Sequence, residues 1–211
     1  METFISSLAL LKYFAVVFFS IVVHECSHAW VAYQLGDSTA NEAGRLTLNP
    51  LKHIDPFTTL MLPGLLMILG LPPFGMAKPV PVNFSRLRNP QKNMMWVGIS
   101  GPAMNIAIAT LLSLVIRLPG ISPNNELLLV AIFINLVLAT LNMMPIPPLD
   151  GSRLVMGLLP RKYLIPYSRL ERFGILILAV LIFYFHLFEY VVLPIVFFLG
   201  YVLGVNFVGI L

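Results

Sequence analysis

Long apolar segments alternate with shorter polar ones along this chain of 211 residues. Three apolar segments lie at about residues 4–35, 93–118 and 126–144, and two more lie at 173–188 and 191–210. A helix needs about 20 mostly apolar residues to cross the hydrocarbon core of a bilayer. The pattern therefore predicts an all-α polytopic membrane protein with about five transmembrane helices.

The region between the first two predicted spans departs from this helical pattern. Residues 45–48 alternate between polar and apolar side chains, which predicts a short β-strand. The apolar stretch 57–71 is short and is interrupted by Pro63 and Gly64, so we expect a re-entrant loop rather than a crossing. Proline restricts its own backbone and that of the residue before it, which predicts an extended segment over 78–82.

Composition supports a membrane protein. Hydrophobic residues make up 58% of the chain and charged residues only 10%, whereas a soluble domain carries about 25% charged residues. The net charge of +4 fits a membrane protein with basic cytoplasmic loops and requires no nucleic-acid partner. We expect a single membrane-embedded domain over residues 1–211, with a core at about 4–160 and C-terminal helices at 173–210.

The first span contains the sequence HECSH at residues 24–28. Positions i and i+4 lie on one face of a helix, so His24 and His28 could hold one metal ion together. Glu25 lies beside the first histidine and could act as a general base. The alternative is a polar helix end whose histidines bind backbone carbonyls. Ionisable groups inside a membrane helix are costly and usually functional, which favours the metal site.

A catalytic zinc site needs a third protein ligand, and Asp150 is the best candidate. It follows the proline-rich end of the third span and lies on the same side as HECSH only if residues 57–71 do not cross the membrane. That path places eleven of the 13 Lys and Arg on the side of the site, whereas a crossing path divides them nine against three. His53 is a rival ligand, although a polar contact within its loop is the favoured interpretation.

Five motifs together resemble the site-2 protease family of intramembrane zinc metalloproteases, peptidase family M50. They are HECSH at 24–28, NPLKHIDP at 49–56, AKPVPVN at 77–83, SGPAMN at 100–105 and NMMPIPPLDG at 142–151. The resemblance covers about residues 15–160. It suggests a minimal member of the family, without a PDZ or CBS domain.

The resemblance implies cleavage of a peptide bond within or near a transmembrane helix of another protein. It implies that His24, His28 and Asp150 bind one Zn²⁺ per chain and that Glu25 is the catalytic base. It also implies that Asn142 contacts the substrate or the developing oxyanion. The alternative for Asn142 is a hydrogen bond between helices, or a cap at the proline-kinked helix end.

Three further residues of the SGPAMN motif have a structural interpretation. Asn105 is a candidate for the same substrate or oxyanion contact, and the alternative is a buried amide that links two spans. Gly101 and the proline after it are most simply a close-packing and kink element.

The expected partners are a substrate helix and the lipid bilayer. The sequence leaves open whether the protein also binds an adaptor or forms a homo-oligomer. The compact chain suggests a prokaryotic cell membrane, and the distribution of basic residues predicts an active site toward the cytoplasm. Two other classes stay open: a membrane metal transporter, and an inactive homologue that binds helices. The sequence lacks the internal repeat of many transporters. A prenyl-protein peptidase would need a distant glutamate, and Glu126, Glu171 and Glu189 are poorly placed for that.

Overall fold

The structure, a computed structural model, describes residues 2–61, 64, 65, 68 and 78–207. Within those ranges the chain is mostly helical and forms no β-strand. The α-helices are α1 (Glu2–Gln34), α2 (Thr39–Glu42), α3 (Pro90–Val115), α4 (Glu126–Asn142), α5 (Gly151–Leu158), α6 (Arg161–Arg169), α7 (Gly174–Phe183) and α8 (Leu193–Val202). Short 3-10 turns lie at Pro50–His53, Phe84–Arg86 and Leu170–Phe173, and π-helical turns at Pro56–Met61 and Phe188–Val192.

Two of the described helices are long and apolar enough to cross a membrane, namely Lys12–Gln34 within α1 and Pro90–Val115. Helix α4 is apolar but has only 17 residues, which rise about 26 Å against a hydrocarbon core of about 30 Å. The segments Arg161–Phe183 and Phe188–Val202 are bent by 73° and together could form one more span.

The prediction of about five spans is therefore not confirmed, although the all-α fold is. Helices α7 and α8 have 10 residues each. At 1.5 Å per residue each rises about 15 Å, which is half the thickness of the hydrocarbon core. The apolar pattern predicts two segments here, but it does not show the bend of 73° between them.

Local sequence signals explain where the long helices begin and end. Helix α1 ends before Gly36, whose φ of +111° lies in the left-handed region that favours glycine. The Asn89 side chain accepts a hydrogen bond from the Lys92 N–H at the start of α3, where Pro90 occupies the first turn. Asn125 caps α4 in the same way through the Leu128 N–H.

The connection between α1 and α3 begins and ends at the same end of the bundle. The Arg88 N–H donates to the Leu35 carbonyl at 3.0 Å, and the Asn83 N–H donates to Asp37 Oδ2 at 2.6 Å. Residues 78–88 thus lie beside the last turns of α1. The predicted re-entrant loop at 57–71 lies partly outside the described residues, but its two flanking helices meet on one side.

The predicted strand at residues 45–48 is not found, because this stretch forms a bend. A strand needs a ladder of backbone hydrogen bonds to a neighbouring segment. The segment nearby contains Pro79 and Pro81, which carry no N–H for such a ladder. The two segments pack together without a strand ladder, since Leu46 contacts the buried cluster that contains Val80.

Helices α1, α3 and α4 pack together, and α8 closes the far end of this core. The cluster there contains the fully buried Ala109, Ile132, Leu136, Val196 and Phe207. Lipid is as apolar as these side chains, so van der Waals packing rather than escape from water holds such helices together. The opposite end of α3, toward its N-terminus, contacts α1 and the segment after α4. There the buried polar side chains of His24, His28 and Asn105 lie beside the apolar cluster of Ala32, Leu87 and Val97.

Candidate metal centre

Three potential metal ligands converge where α1 meets the loop between α4 and α5. His24 Nε2 lies 3.0 Å from Asp150 Oδ2, and His28 Nε2 lies 3.2 Å from the same oxygen. The two Nε2 atoms are 3.0 Å apart. One helical turn of α1 brings the histidines together, whereas Asp150 comes from a position 126 residues further along the chain than His24.

The remaining ring nitrogens of both histidines bind oxygen atoms of α3. His28 Nδ1 lies 2.6 Å from the Val97 carbonyl oxygen, and His24 Nδ1 lies 2.5 Å from Asn105 Oδ1. A carbonyl oxygen can only accept, so His28 carries its proton on Nδ1 and presents a lone pair at Nε2. Such outer hydrogen bonds are the usual means of orienting a metal-binding histidine.

The donor set fits a metal ion such as zinc. Three lone-pair atoms within 3.2 Å of one another repel unless a cation or a proton lies between them. Ligands about 2.0 Å from a tetrahedral ion are separated by about 3.3 Å, close to these distances. Two imidazoles and one carboxylate also leave the fourth position of a catalytic site open.

Two glycines of α3 make this convergence sterically feasible. A Cβ atom on Gly101 would lie 2.5 Å from His28 Nε2 and 2.6 Å from His24 Nε2. A Cβ atom on Gly98 would lie 2.8 Å from the Asp150 carbonyl oxygen. The predicted close-packing role of Gly101 is confirmed, and the structure adds that the close contact is with the two histidines themselves.

Glu25 lines a cavity of about 360 Å³ together with the three converging residues. Its Oε2 atom accepts a hydrogen bond from the Val80 N–H at 2.9 Å. The segment from Pro79 to Phe84 forms another part of the cavity wall. The cavity therefore places a half-buried carboxylate beside the potential metal ligands and beside an extended stretch of backbone.

Arg153 holds one side of this cavity in place. Its guanidinium donates two hydrogen bonds to the Glu171 carboxylate, at 2.6 and 3.1 Å. The same group lies 5.2 Å from the centre of the Phe84 ring, a cation–π distance. Arg153 thus connects the 78–86 segment to the region after α6.

The other candidate residues occupy distinct positions. Asn142 lines the cavity and donates from Nδ2 to the Leu138 carbonyl at 2.9 Å. Asn105 is fully buried and lies against His24, which agrees with the alternative of a buried amide between spans; its contact with substrate or oxyanion stays a prediction. His53 is buried in its loop, where Nε2 lies 2.9 Å from the Thr47 carbonyl oxygen.

Two residues that the sequence analysis did not single out contribute to the site. Val80 contacts Glu25 through its backbone, which no side-chain pattern reveals. Asn135 accepts a hydrogen bond from Asn105 at 2.7 Å. A signal for Asn135 was present, because it is the only polar residue between Glu126 and Thr140 in the third segment, where polar groups are costly and usually functional.

Comparison with known proteins places these residues in a wider context. Residues 121–185 match the model of peptidase family M50. "Putative zinc metalloprotease YwhC" of Bacillus subtilis is 35% identical over 185 residues, which are 82% of this chain and 81% of the relative. "Putative zinc metalloprotease Rip2" of Mycolicibacterium smegmatis is 36% identical over 137 residues, 63% of this chain and 51% of Rip2.

A more distant relative comes from an archaeon. "Zinc metalloprotease MJ0392" of Methanocaldococcus jannaschii is 27% identical over 151 residues, which are 71% of this chain and 35% of that protein. No solved structure matches the chain.

Proposed function

Because this chain belongs to peptidase family M50, the site-2 protease family that its motifs resemble, we propose that it is an intramembrane zinc endopeptidase. It would hydrolyse a peptide bond within or near a transmembrane helix of another membrane protein. The observation that supports this best is the meeting of His24, His28, Asp150 and Glu25 around one cavity.

The depth of the site supports an intramembrane substrate. His28 lies eight residues before Gly36 in the sequence, which is about 12 Å from that end of α1 at 1.5 Å per residue. The histidines lie within the candidate span Lys12–Gln34. A water-filled cavity at this depth is tolerated only where protein surrounds it, and hydrolysis requires such a cavity.

His24, His28 and Asp150 would hold one zinc ion. When bound, the ion supplies Lewis-acid chemistry, polarising the scissile carbonyl and favouring ionisation of water. Glu25 would remove a proton from the attacking water as its oxygen bonds to the carbonyl carbon. The same carboxyl group would then give that proton to the amine nitrogen as the C–N bond breaks.

Asn142 is proposed to stabilise the developing oxyanion. One Nδ2 hydrogen is directed to the Leu138 carbonyl, but a side-chain amide has a second. Because Asn142 lines the cavity, that second hydrogen is available to an oxygen of the substrate. Preorganised donors of this kind typically contribute to rate rather than to ground-state binding.

The substrate helix would have to unwind before cleavage. In a helix the backbone carbonyls are hydrogen-bonded within the helix and shielded by its side chains. A locally extended peptide exposes its carbonyls to attack. Residues 78–83 lie along the cavity and could pair with such a peptide as a neighbouring strand.

The proposed topology places α1, α3 and α4 across the membrane, with the site toward the cytoplasm. The Leu35–Arg88 hydrogen bond at 3.0 Å supports a connection that returns to its starting side. Most Lys and Arg residues then lie on that side, as expected for cytoplasmic loops. The segments Arg161–Phe183 and Phe188–Val202, which contain α6 to α8, would form a bent pair at the edge of the bundle rather than two complete spans. A prokaryotic cell membrane is the proposed location.

Cleavage of a transmembrane peptide by the purified protein in lipid vesicles tests this function. Wild type should cut the peptide, and Glu25→Gln should lower the rate at least about 100-fold because it removes the base. Glu42→Gln is the matched control, since it neutralises an exposed carboxylate that pairs with Arg86 at 2.9 Å, away from the cavity. Equal rates for wild type and Glu25→Gln would contradict the proposal, and metal flux without cleavage would indicate a transporter.

A further inference from the structure

Four polar side chains are buried between α1, α3 and α4, in a region where apolar packing would be expected. They are Asn105 (0% exposed), Asn135 (1%), Ser20 (3%) and His24 (6%). Burying such groups is unfavourable unless each makes its hydrogen bonds. The four are connected in a chain that begins at the backbone of α4 and ends at the imidazole of His24.

The side chains in this series are joined by hydrogen bonds. Asn135 Nδ2 lies 2.8 Å from the Ala131 carbonyl oxygen and 2.9 Å from Ser20 Oγ. Asn105 Nδ2 lies 2.7 Å from Asn135 Oδ1 and 3.5 Å from the Ser20 carbonyl oxygen. Asn105 Oδ1 then lies 2.5 Å from His24 Nδ1.

The direction of every link follows from the Ala131 carbonyl oxygen, which can only accept. Asn135 must therefore turn its NH₂ group toward Ala131 and its Oδ1 toward Asn105. Asn105 must in turn offer its NH₂ group to Asn135, which leaves its Oδ1 facing His24. Reversing both amides would place two oxygens 2.8 Å apart at Ala131, a repulsive contact in a buried setting.

We propose, building on the metal site described under the proposed function, that Asn135 is a positioning residue that fixes the tautomer of His24. Through Asn105 it makes His24 Nδ1 the protonated nitrogen. His24 Nε2 then keeps a lone pair that faces Asp150 and His28. Asn135 makes no hydrogen bond to the three proposed ligands; it reaches the His24 ring through Asn105.

A purely structural role for Asn135 makes different predictions. If it only joined three helices, replacing it would lower stability without changing the proton position on His24. A test must therefore read the tautomer directly, and must also separate metal affinity from folding. Both readouts are possible with the full-length protein.

The first measurement is ¹⁵N NMR of histidine-labelled, zinc-free protein, with the His24 signals identified by comparison with His24→Gln. Wild type should show a protonated Nδ1 on His24. Asn135→Leu should shift His24 toward a mixture of tautomers. A wild-type His24 protonated on Nε2 would overturn the inference, even if Asn135→Leu did not fold.

The second measurement is the Kd for Zn²⁺, obtained by competition with a chelator. Asn135→Leu should weaken binding by about tenfold or more, the usual effect of losing an outer hydrogen bond. Ser113→Ala is the matched control. Ser113 is buried on the same helix as Asn105, but it donates to the Thr110 carbonyl at 2.7 Å and takes no part in the hydrogen bonds that link Asn135 to His24. Ser113→Ala should therefore bind Zn²⁺ as tightly as wild type does.

A double variant separates positioning from packing. Asn105→Asp supplies an oxygen to His24 Nδ1 whatever residue 135 is, so adding Asn135→Leu to it should cost no further affinity. The same loss in both backgrounds would overturn the inference. If wild type bound no Zn²⁺, the proposed function would fail, while the NMR comparison of wild type and Asn135→Leu would still decide the role of Asn135.

Discussion

The Val80 N–H donates a hydrogen bond to Glu25 Oε2 at 2.9 Å, across 55 positions of the sequence. Pro79 and Pro81 on either side have no N–H, so Val80 alone can make this bond within the tripeptide. One oxygen of the proposed base is thereby held in place. Glu25 also lines the cavity, where the proposed proton transfer would take place.

We predict that Val80→Pro lowers kcat about tenfold or more while zinc content stays at the wild-type level. The variant removes the N–H but suits an extended backbone, so Glu25 loses its orientation and a part of the general-base contribution. The measurement is cleavage of a transmembrane peptide in vesicles, together with metal analysis of the same preparation.

Val80→Ala is the control for that experiment. It keeps the N–H and loses the contacts of a side chain that packs against Ala29 and Ala40. It should therefore keep kcat within about twofold while lowering thermal stability. Equal losses of kcat in the two variants would mean that packing, rather than the hydrogen bond, is what matters at this position.

Gly101→Ala should abolish or strongly weaken zinc binding. The added Cβ atom would come within 2.5 Å of His28 Nε2, so either the ligands or α3 must shift. We expect a loss in affinity of at least about tenfold, by analogy with other disturbances around a ligand. Ala103→Val adds bulk to an exposed part of the same helix and should bind zinc normally. Full zinc content in Gly101→Ala would contradict the described approach of the helices.

Features with a local cause could be predicted from the sequence. The apolar length of α1, its end at Gly36 and the pairing of His24 with His28 depend only on helical periodicity and a local turn. The number of crossings could not be predicted in the same way. Whether α7 and α8 cross depends on a bend of 73° between Arg161–Phe183 and Phe188–Val202, which the apolar pattern does not reveal.

The surroundings of the site depend on contacts between distant parts of the chain. Asn105 was recognisable as a buried amide, but its partner His24 lies 81 positions away, so its link to the histidine was not. The strand expected at residues 45–48 failed because prolines in a neighbouring segment remove the necessary donors. Local alternation in one segment contains no information about the segment beside it.

Asp37 is predicted to hold the 78–88 segment against α1. Its carboxylate is 1% exposed and accepts hydrogen bonds from the Asn83 N–H at 2.6 Å and the Thr39 N–H at 3.0 Å. Asp37→Ala would leave these donors without a partner, at a cost of about 1–3 kcal/mol. Thermal unfolding in detergent should show a lower Tm, with a smaller drop for Asp37→Asn. An unchanged Tm in Asp37→Ala would refute this role.

Topology can be tested by cysteine labelling in a Cys26→Ser background. Ser122 and Ser85 are exposed residues on opposite sides of the membrane in the proposed arrangement. Ser122→Cys should react with a membrane-impermeant reagent in intact cells, and Ser85→Cys should react only after the cells are opened. The reverse pattern would invert the orientation, and labelling of both in intact cells would exclude the path proposed for residues 37–89.

The most direct test of the metal site is elemental analysis of purified wild type, Asp150→Ala and His53→Ala. We predict one zinc per chain in wild type, loss of zinc in Asp150→Ala, and retention in His53→Ala. Asp150 Oδ2 lies 3.0 Å from His24 Nε2, whereas His53 Nε2 is bound to the Thr47 carbonyl in its own loop. Zinc retained without Asp150 but lost without His53 would contradict the ligand set and the mechanism built on it.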